Sequence, residues 1–356
     1  MGSPDAQYGR QLNGMGGGVS SLSKICVVGS PSEAQKAAGI DVEYTFAQVG
    51  IRDSVIDYSG NCGNLSSMVG VFAVDEGMCT PQITQGPRMT GTVRTFNTNT
   101  NKRIDNTFFV SQTSSRYVPV LDGERASIAG VPGRASPILL DFIDPSGART
   151  GHLLPTGRPQ ETATVSLSNN NSREEEAVTV PVSLVDATNP TVFTSKRGLR
   201  SALGRTHDNA APIDYAELGV VEALERVRQA GAQLMGLDPL AQAQPKVAVL
   251  GSGDGDADIV VNAFSMGVLH RAVPMTVGLC LGVAACVPHT LAWDVVGGGR
   301  RHMGTGVGTG TLSEMLRIRH PSGVVEVGAE LGRRGEVRSA RVMRTGRRLM
   351  KGLAWW

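Results

Sequence analysis

Asp57-Tyr58-Ser59-Gly60-Asn61-Cys62-Gly63-Asn64 sets one thiol between glycines at the point where a helix begins. Downstream, Leu65, Met68, Val69 and Phe72 recur at helical spacing, and Gly77 stands where a C-terminal cap belongs. A cysteine at a helix start sits among unpaired backbone N–H groups and the positive end of the helix dipole. That environment favours a thiolate and also binds carboxylates. A buried, inert cysteine beside a tight turn is the competing reading of the same letters.

Working outward, Lys24–Gly29 (KICVVG) reads as a strand, preceded by the Gly-rich stretch Gly14–Gly18, and Tyr44–Ile51 as a second strand. Thr92–Phe96 and Ile104–Val110 read as strands around the turn-forming run Asn97–Asn101. Leu139–Ile143 adds another, closed by Asp144-Pro145-Ser146-Gly147. From Pro159 to Glu176 the chain is polar, as in a surface loop or hairpin.

Near Val185 the pattern resets. Asp214 is placed to cap a helix with Leu218, Val221, Leu224, Gly231 and Leu234 on one face. Lys246–Gly251 is a strand, Asp254–Asp258 an acidic loop, and Val273–Val287 a buried apolar helix too short to span a bilayer. Leu316–Arg319 and Val324–Val327 flank the turn at His320–Gly323.

The two halves rhyme. KICVVG at Lys24 echoes KVAVLG at Lys246, each followed by a Gly-containing turn expected to open a helix (Cys62; Met266-Gly267) and then by strands around a polar turn. The basic tail, with Arg341, Arg344 and Arg348 at helical spacing, reads as a solvated helix face.

The 356 residues suffice for two domains, and a formal charge of +2 points to neither nucleic acid nor an anionic surface. No secretory signal is visible, and the five cysteines lack CxxC spacing, so a reducing, cytoplasmic setting is expected. His152, His207, His289 and His302 have no ligand spacing, so no metal is expected. The glycines of 304–310 lack the GK[ST] ending of a phosphate loop and read as a flexible loop.

Several pieces together resemble the PrpF family of 2-methylaconitate cis–trans isomerases, proteins of the diaminopimelate-epimerase-like fold. They are Met1-Gly-Ser-Pro-Asp5, Gly14-Met-Gly-Gly, Ser20-Ser21 with Ser23-Lys24, and Ser59-Gly-Asn-Cys-Gly-Asn64. Ser265-Met-Gly with His270-Arg271, His320-Pro-Ser-Gly323, and the tail Arg344-Thr345 with Arg347-Arg348-Leu349-Met350 complete the set. The resemblance implies an α+β protein of two pseudo-symmetric domains, each a sheet wrapped around a central helix, with the active site between them. With the reset near Val185, it places the first domain at 1–185, completed by 336–356, and the second at 186–335. It aligns Lys24 and Cys62 with the family's proposed catalytic lysine and cysteine. The family pattern also carries an N-terminal segment, with an Arg-Gly-Gly-Thr-Ser-Lys-like motif, ahead of the match at Met1. A first strand and part of the substrate cradle are therefore expected upstream, as would be any mitochondrial targeting peptide.

What the resemblance implies chemically is an isomerase that moves an allylic proton in an unsaturated di- or tricarboxylate without a cofactor. Such an enzyme must remove a weakly acidic proton, stabilise a delocalised carbanion and return the proton elsewhere. Lys24 is the expected base, with Cys62 as its proton-donating partner or as the group that orients the intermediate. Carboxylate binding is expected from the backbone N–H groups around Gly63, Asn64, Ser265 and Gly267, and from Ser21, His270, Ser322 and Gly323. The partner is a small polycarboxylate, the chain a possible homodimer. The alternatives are a catalytically impaired or accessory protein of propionate metabolism and a 4-oxalomesaconate-type tautomerase. A two-thiol epimerase would need a second cysteine facing Cys62, where the repeat offers Ser265-Met266-Gly267 instead.

Overall fold

Alternation along Lys24–Gly29 decides how the first strand lies: Lys24 and Cys26 point to one side and are half-buried, whereas Ile25 and Val27 point to the other and are exposed. The computed structural model describes residues 4–5, 7–12, 14–19, 22–58, 60–123, 126–129, 131–168, 175–205, 212–242, 244–297 and 315–353. Two compact units emerge, one of Met1–Ile143 with Val342–Trp356 and one of Asp144–Arg341. Ser21, His207, His302 and the glycines of 304–310 lie outside the described residues.

The first unit contains β1 (Lys24–Gly29), α1 (Glu33–Ala37), β2 (Val42–Val49), β3 (Ile56–Asp57), α2 (Gly63–Asp75), β4 (Gln82–Thr84), β5 (Thr90–Asn97), β6 (Lys102–Gln112), β7 (Tyr117–Pro119), β8 (Ala126–Ile128), β9 (Val131–Ala135) and β10 (Pro137–Ile143). Antiparallel β1 and β2 pair with Lys24 opposite Gln48 and Cys26 opposite Phe46. Parallel to β2 runs β5, which forms a hairpin with β6; the turn places Asn101 at φ 52, a conformation asparagine tolerates. The strands wrap α2, which packs on β1, β5, β6 and β7. Close approach depends on Gly70, where a Cβ would lie 2.7 Å from Cβ of buried Asn106.

A helix enclosed this way has apolar residues all round. Val69, Val71, Ala73 and Val74 are buried while Phe72 is 46% exposed, so at Phe72 the buried face departs from the one its spacing suggested. The C-terminal cap forms as expected: Gly77 has φ +67, its N–H donates to Val74 O, and Met78 N–H reaches Ala73 O, a Schellman arrangement.

The second unit contains β11 (Glu161–Ser168), β12 (Glu175–Ala187), β13 (Asn189–Ser195), α3 (Lys196–Ala202), α4 (Leu218–Leu234), β14 (Lys246–Ser252), β15 (Ile259–Ser265), β16 (Val268–Leu269), α5 (Met275–Ala284), α6 (Leu291–Val295), β17 (Leu316–His320), β18 (Gly323–Leu331) and β19 (Val337–Thr345), the last of which carries the chain back to the first unit. Val220, Leu224 and Val227 of α4 pack with Val192, Val247, Val249 and Phe264 in one core. Every residue of α5 is buried.

Strand pairing repeats between the units. The order β1 antiparallel to β2, β2 parallel to β5 and β5 antiparallel to β6 recurs as β14 antiparallel to β15, β15 parallel to β17 and β17 antiparallel to β18. The central helices match in detail: Gly70 of α2 meets Asn106 of β6, and Gly282 of α5, at the same helical position, meets Val327 of β18.

Several expectations need correction. A boundary near Val185 would cut the antiparallel β12–β13 hairpin, so the division falls at Ile143/Asp144 instead. The return to the first unit starts at Val342 rather than Glu336. Met266-Gly267 does not open a helix: it is the two-residue turn between β15 and β16, with φ +54 and +72, the type I′ pattern of hairpins. Asp214 accepts from Ala216 N–H in a turn, and Glu217 is the N-cap of α4. Leu218 and Leu234, expected on the buried face of α4, are exposed. Among its described residues the tail forms no helix, because Arg341 and Arg344 lie in β19 and Arg348 follows it, bound to Asp75 through both carboxylate oxygens.

Candidate active site

Lys24 opens β1, and the start of that strand is held firmly. Ser23 O accepts from Val49 N–H and from Gln48 Nε2, both at 2.9 Å, while Ser23 Oγ donates to Gln11 Oε1 at 2.8 Å. Cys62 is the N-cap residue of α2 in an extended conformation, φ −109 and ψ 101. Its side chain makes no capping bond. Instead Lys24 Nζ donates to Cys62 Sγ at 3.7 Å. Two sequence-predicted groups thus meet, and they meet at the mouth of a helix whose first turn no side chain caps. Gly63 and Asn64 supply the amide groups of that turn.

Beneath the turn lie three polar residues that the sequence reading missed. Tyr44 and Ser66 are buried, and their hydroxyls are 2.7 Å apart. Asn61 Nδ2 donates to the Tyr44 hydroxyl at 3.0 Å, and Ser66 Oγ reaches Asn61 Oδ1 at 3.2 Å and Cys62 O at 3.1 Å. Asn61 was visible as part of the quoted stretch, but nothing in the letters tied Tyr44, a residue of β2, to it.

The other thiols differ electrostatically. Burial pushes Cys26 up to about 12, with the negative charge of a Cys62 thiolate adding to the effect. Burial likewise raises Cys280 and Cys286 to about 12 and Cys79 to about 11. Cys26, two residues along β1 from Lys24, is therefore held as a neutral thiol.

In the second unit, Ser265 and Gly267 belong to the β15–β16 turn rather than to a helix N-terminus. Lys246 Nζ donates to Ser265 Oγ at 2.8 Å. Lys246 opens β14 just as Lys24 opens β1, a correspondence that strand pairing makes plain. His270 is exposed, with Nδ1 against Ala272 O, so it is not a core histidine. Ser322 Oγ donates to Arg271 O at 2.7 Å, bringing the His320–Gly323 turn against the His270–Arg271 segment. His320 is buried, its Nδ1 accepting from Ser322 N–H. Among the described residues no cluster of three or more His, Cys, Asp or Glu is arranged to hold a metal. No helix among them is long and apolar enough to cross a membrane.

A family model described as PrpF protein matches residues 1–355. The chain belongs to the PrpF family. This PrpF chain is 32% identical over 373 residues to 3-methylitaconate isomerase of Eubacterium barkeri, across 100% of this chain and 87% of the relative. It is 32% identical over 383 residues to 2-methyl-aconitate isomerase of Cupriavidus necator, across 99% and 86% of the two chains. A crystal structure of methylitaconate-delta-isomerase superposes with a TM-score of 0.71 at 29% identity, covering 99% of this PrpF chain and 85% of that one. The fold is the α+β, epimerase-like arrangement expected from the sequence.

Proposed function

We propose that this chain is an isomerase of small unsaturated di- or tricarboxylates that moves a proton between allylic carbons. The observation that carries the reading is the 3.7 Å approach of Lys24 Nζ to Cys62 Sγ at the uncapped start of α2. One group takes a proton from an activated C–H, its neighbour gives its own proton to the far end of the allylic system, and the proton taken then passes between them across the 3.7 Å contact to restore both. In our assignment Lys24 is the base and Cys62 the donor. Amide groups at Gly63 and Asn64, with the positive end of the α2 dipole, suit a substrate carboxylate and the charge that spreads onto it in the carbanion. Within the second unit, Ser265, Gly267, His270, Ser322 and Gly323 are proposed as further carboxylate-binding groups.

Names of the relatives support this class. Two relatives named for isomerisation of methylitaconate and methylaconitate, substrates that pair a double bond with carboxylates, align over nearly all of the chain. The test is to incubate the purified chain with methylitaconate, methylaconitate and cis-aconitate in turn and follow the double bond by proton NMR. Appearance of a positional or geometric isomer of at least one supports the reading. If none turns over under conditions where the Eubacterium barkeri relative is active, the reading fails.

A further inference from the structure

We infer that Tyr44, Asn61 and Ser66 form a directional hydrogen-bond ring that aims Cys62 at Lys24. The inference deepens the reading above, on which its kinetic consequence rests. Hydrogen counting gives the ring its direction. Burial raises the Tyr44 hydroxyl well above the usual range, so it stays protonated and neutral. Tyr44 Oη accepts from Asn61 Nδ2, and the one hydroxyl hydrogen of the tyrosine goes to Ser66 Oγ. The serine hydrogen is then left for Asn61 Oδ1 and Cys62 O, 3.2 and 3.1 Å away. The opposite sense, Ser66 donating to Tyr44, would leave Asn61 Oδ1 and Cys62 O without that hydrogen. With Asn61 Nδ2 facing the Tyr44 hydroxyl, the first arrangement is the one that closes the ring.

The ring sits where it governs the thiol. Asn61 immediately precedes Cys62, and Cys62 O accepts from both Leu65 and Ser66 N–H at 3.0 Å. The backbone on each side of Cys62 is therefore locked, and with it the direction of the Cα–Cβ bond that carries Sγ toward Lys24. Among the described residues, no hydrogen bond joins these three side chains to Lys24 Nζ or Cys62 Sγ. They are positioning residues, acting through Cys62.

A double-mutant cycle tests this without requiring turnover. Cys62 modification by iodoacetamide is timed by peptide mass spectrometry in the parent, Lys24→Met, Tyr44→Phe and the double variant. We expect Lys24→Met to change the Cys62 rate several-fold in the parent, and by less than about two-fold in the Tyr44→Phe background. An equal change in both backgrounds overturns the proposal, as does no change in the parent. If Tyr44→Phe does not fold, Ser66→Ala replaces it in the same cycle. With a turned-over substrate, Tyr44→Phe should lower kcat roughly ten- to a hundred-fold with KM nearly unchanged. Failure of the isomerase reading would remove this second readout and leave the first intact.

Discussion

Lys24 Nζ lies 3.7 Å from Cys62 Sγ although 38 residues separate them in sequence. One comes from the first position of β1, the other from the N-cap of the helix that the sheet wraps. Neither element alone makes a reactive centre. Their packing does, and Gly70 lets α2 lie close against Asn106 of β6.

The five cysteines should separate kinetically. Burial raises Cys26, Cys79, Cys280 and Cys286 to about 12, 11, 12 and 12, which leaves little thiolate at neutral pH. Limiting iodoacetamide near neutral pH, followed by peptide mass spectrometry, should find label on Cys62 before any other. First labelling at Cys26 would contradict the account of that strand.

Those raised values also fix how stability responds to base. A thiol whose folded pKa exceeds its unfolded value of 9.0 favours the folded state below pH 9, and that stability is lost as pH climbs toward 12. Tyr215, raised to about 12 by burial, acts in the same direction. Urea unfolding should therefore weaken between about pH 8.5 and about pH 10.5, with Cys280 alone contributing about 1–2 kcal/mol of the fall. Cys280→Ala should flatten the decline by that amount. An unchanged slope would mean that Cys280 titrates alike in both states.

Met266 holds φ +54 at the first position of a type I′ turn whose second position is Gly267. Asn-Gly is the favoured pair there, and Met266 is 54% exposed, so little burial is lost on replacement. Met266→Asn should raise stability by about 0.5–1 kcal/mol, read from the urea midpoint. Destabilisation would argue that the methionine side chain packs on α4.

Much of this architecture was legible in the letters. The short apolar runs KICVVG and KVAVLG marked β1 and β14, the asparagine run marked the β5–β6 turn, and glycine punctuation marked the end of α2. Faces were less readable. Val69 of α2 and Leu224 and Gly231 of α4 are buried as their spacing suggested, but Phe72, Leu218 and Leu234 are exposed, because apolar residues all round α2 blur the period and Leu218 and Leu234 stand at the two ends of α4. Met266-Gly267 was misread since a glycine after a strand serves a hairpin or a helix start equally well, and only φ at both residues separates them. The tail charges were misplaced because β19 imposes its pairing over helical spacing. At the site, Lys24 and Cys62 could be named from residue type and position, whereas the Tyr44–Asn61–Ser66 ring depends on contacts across β2 and α2 that no local pattern encodes.

The central claim is that Lys24 takes the allylic proton beside Cys62. Its most direct measurement is deuterium uptake from heavy water into a carboxylate that the parent isomerises, compared between parent and Lys24→Ala. The account predicts label at the allylic carbons with the parent and a loss of exchange of roughly a hundred- to ten-thousand-fold in the variant. Exchange within a few-fold of the parent would contradict it.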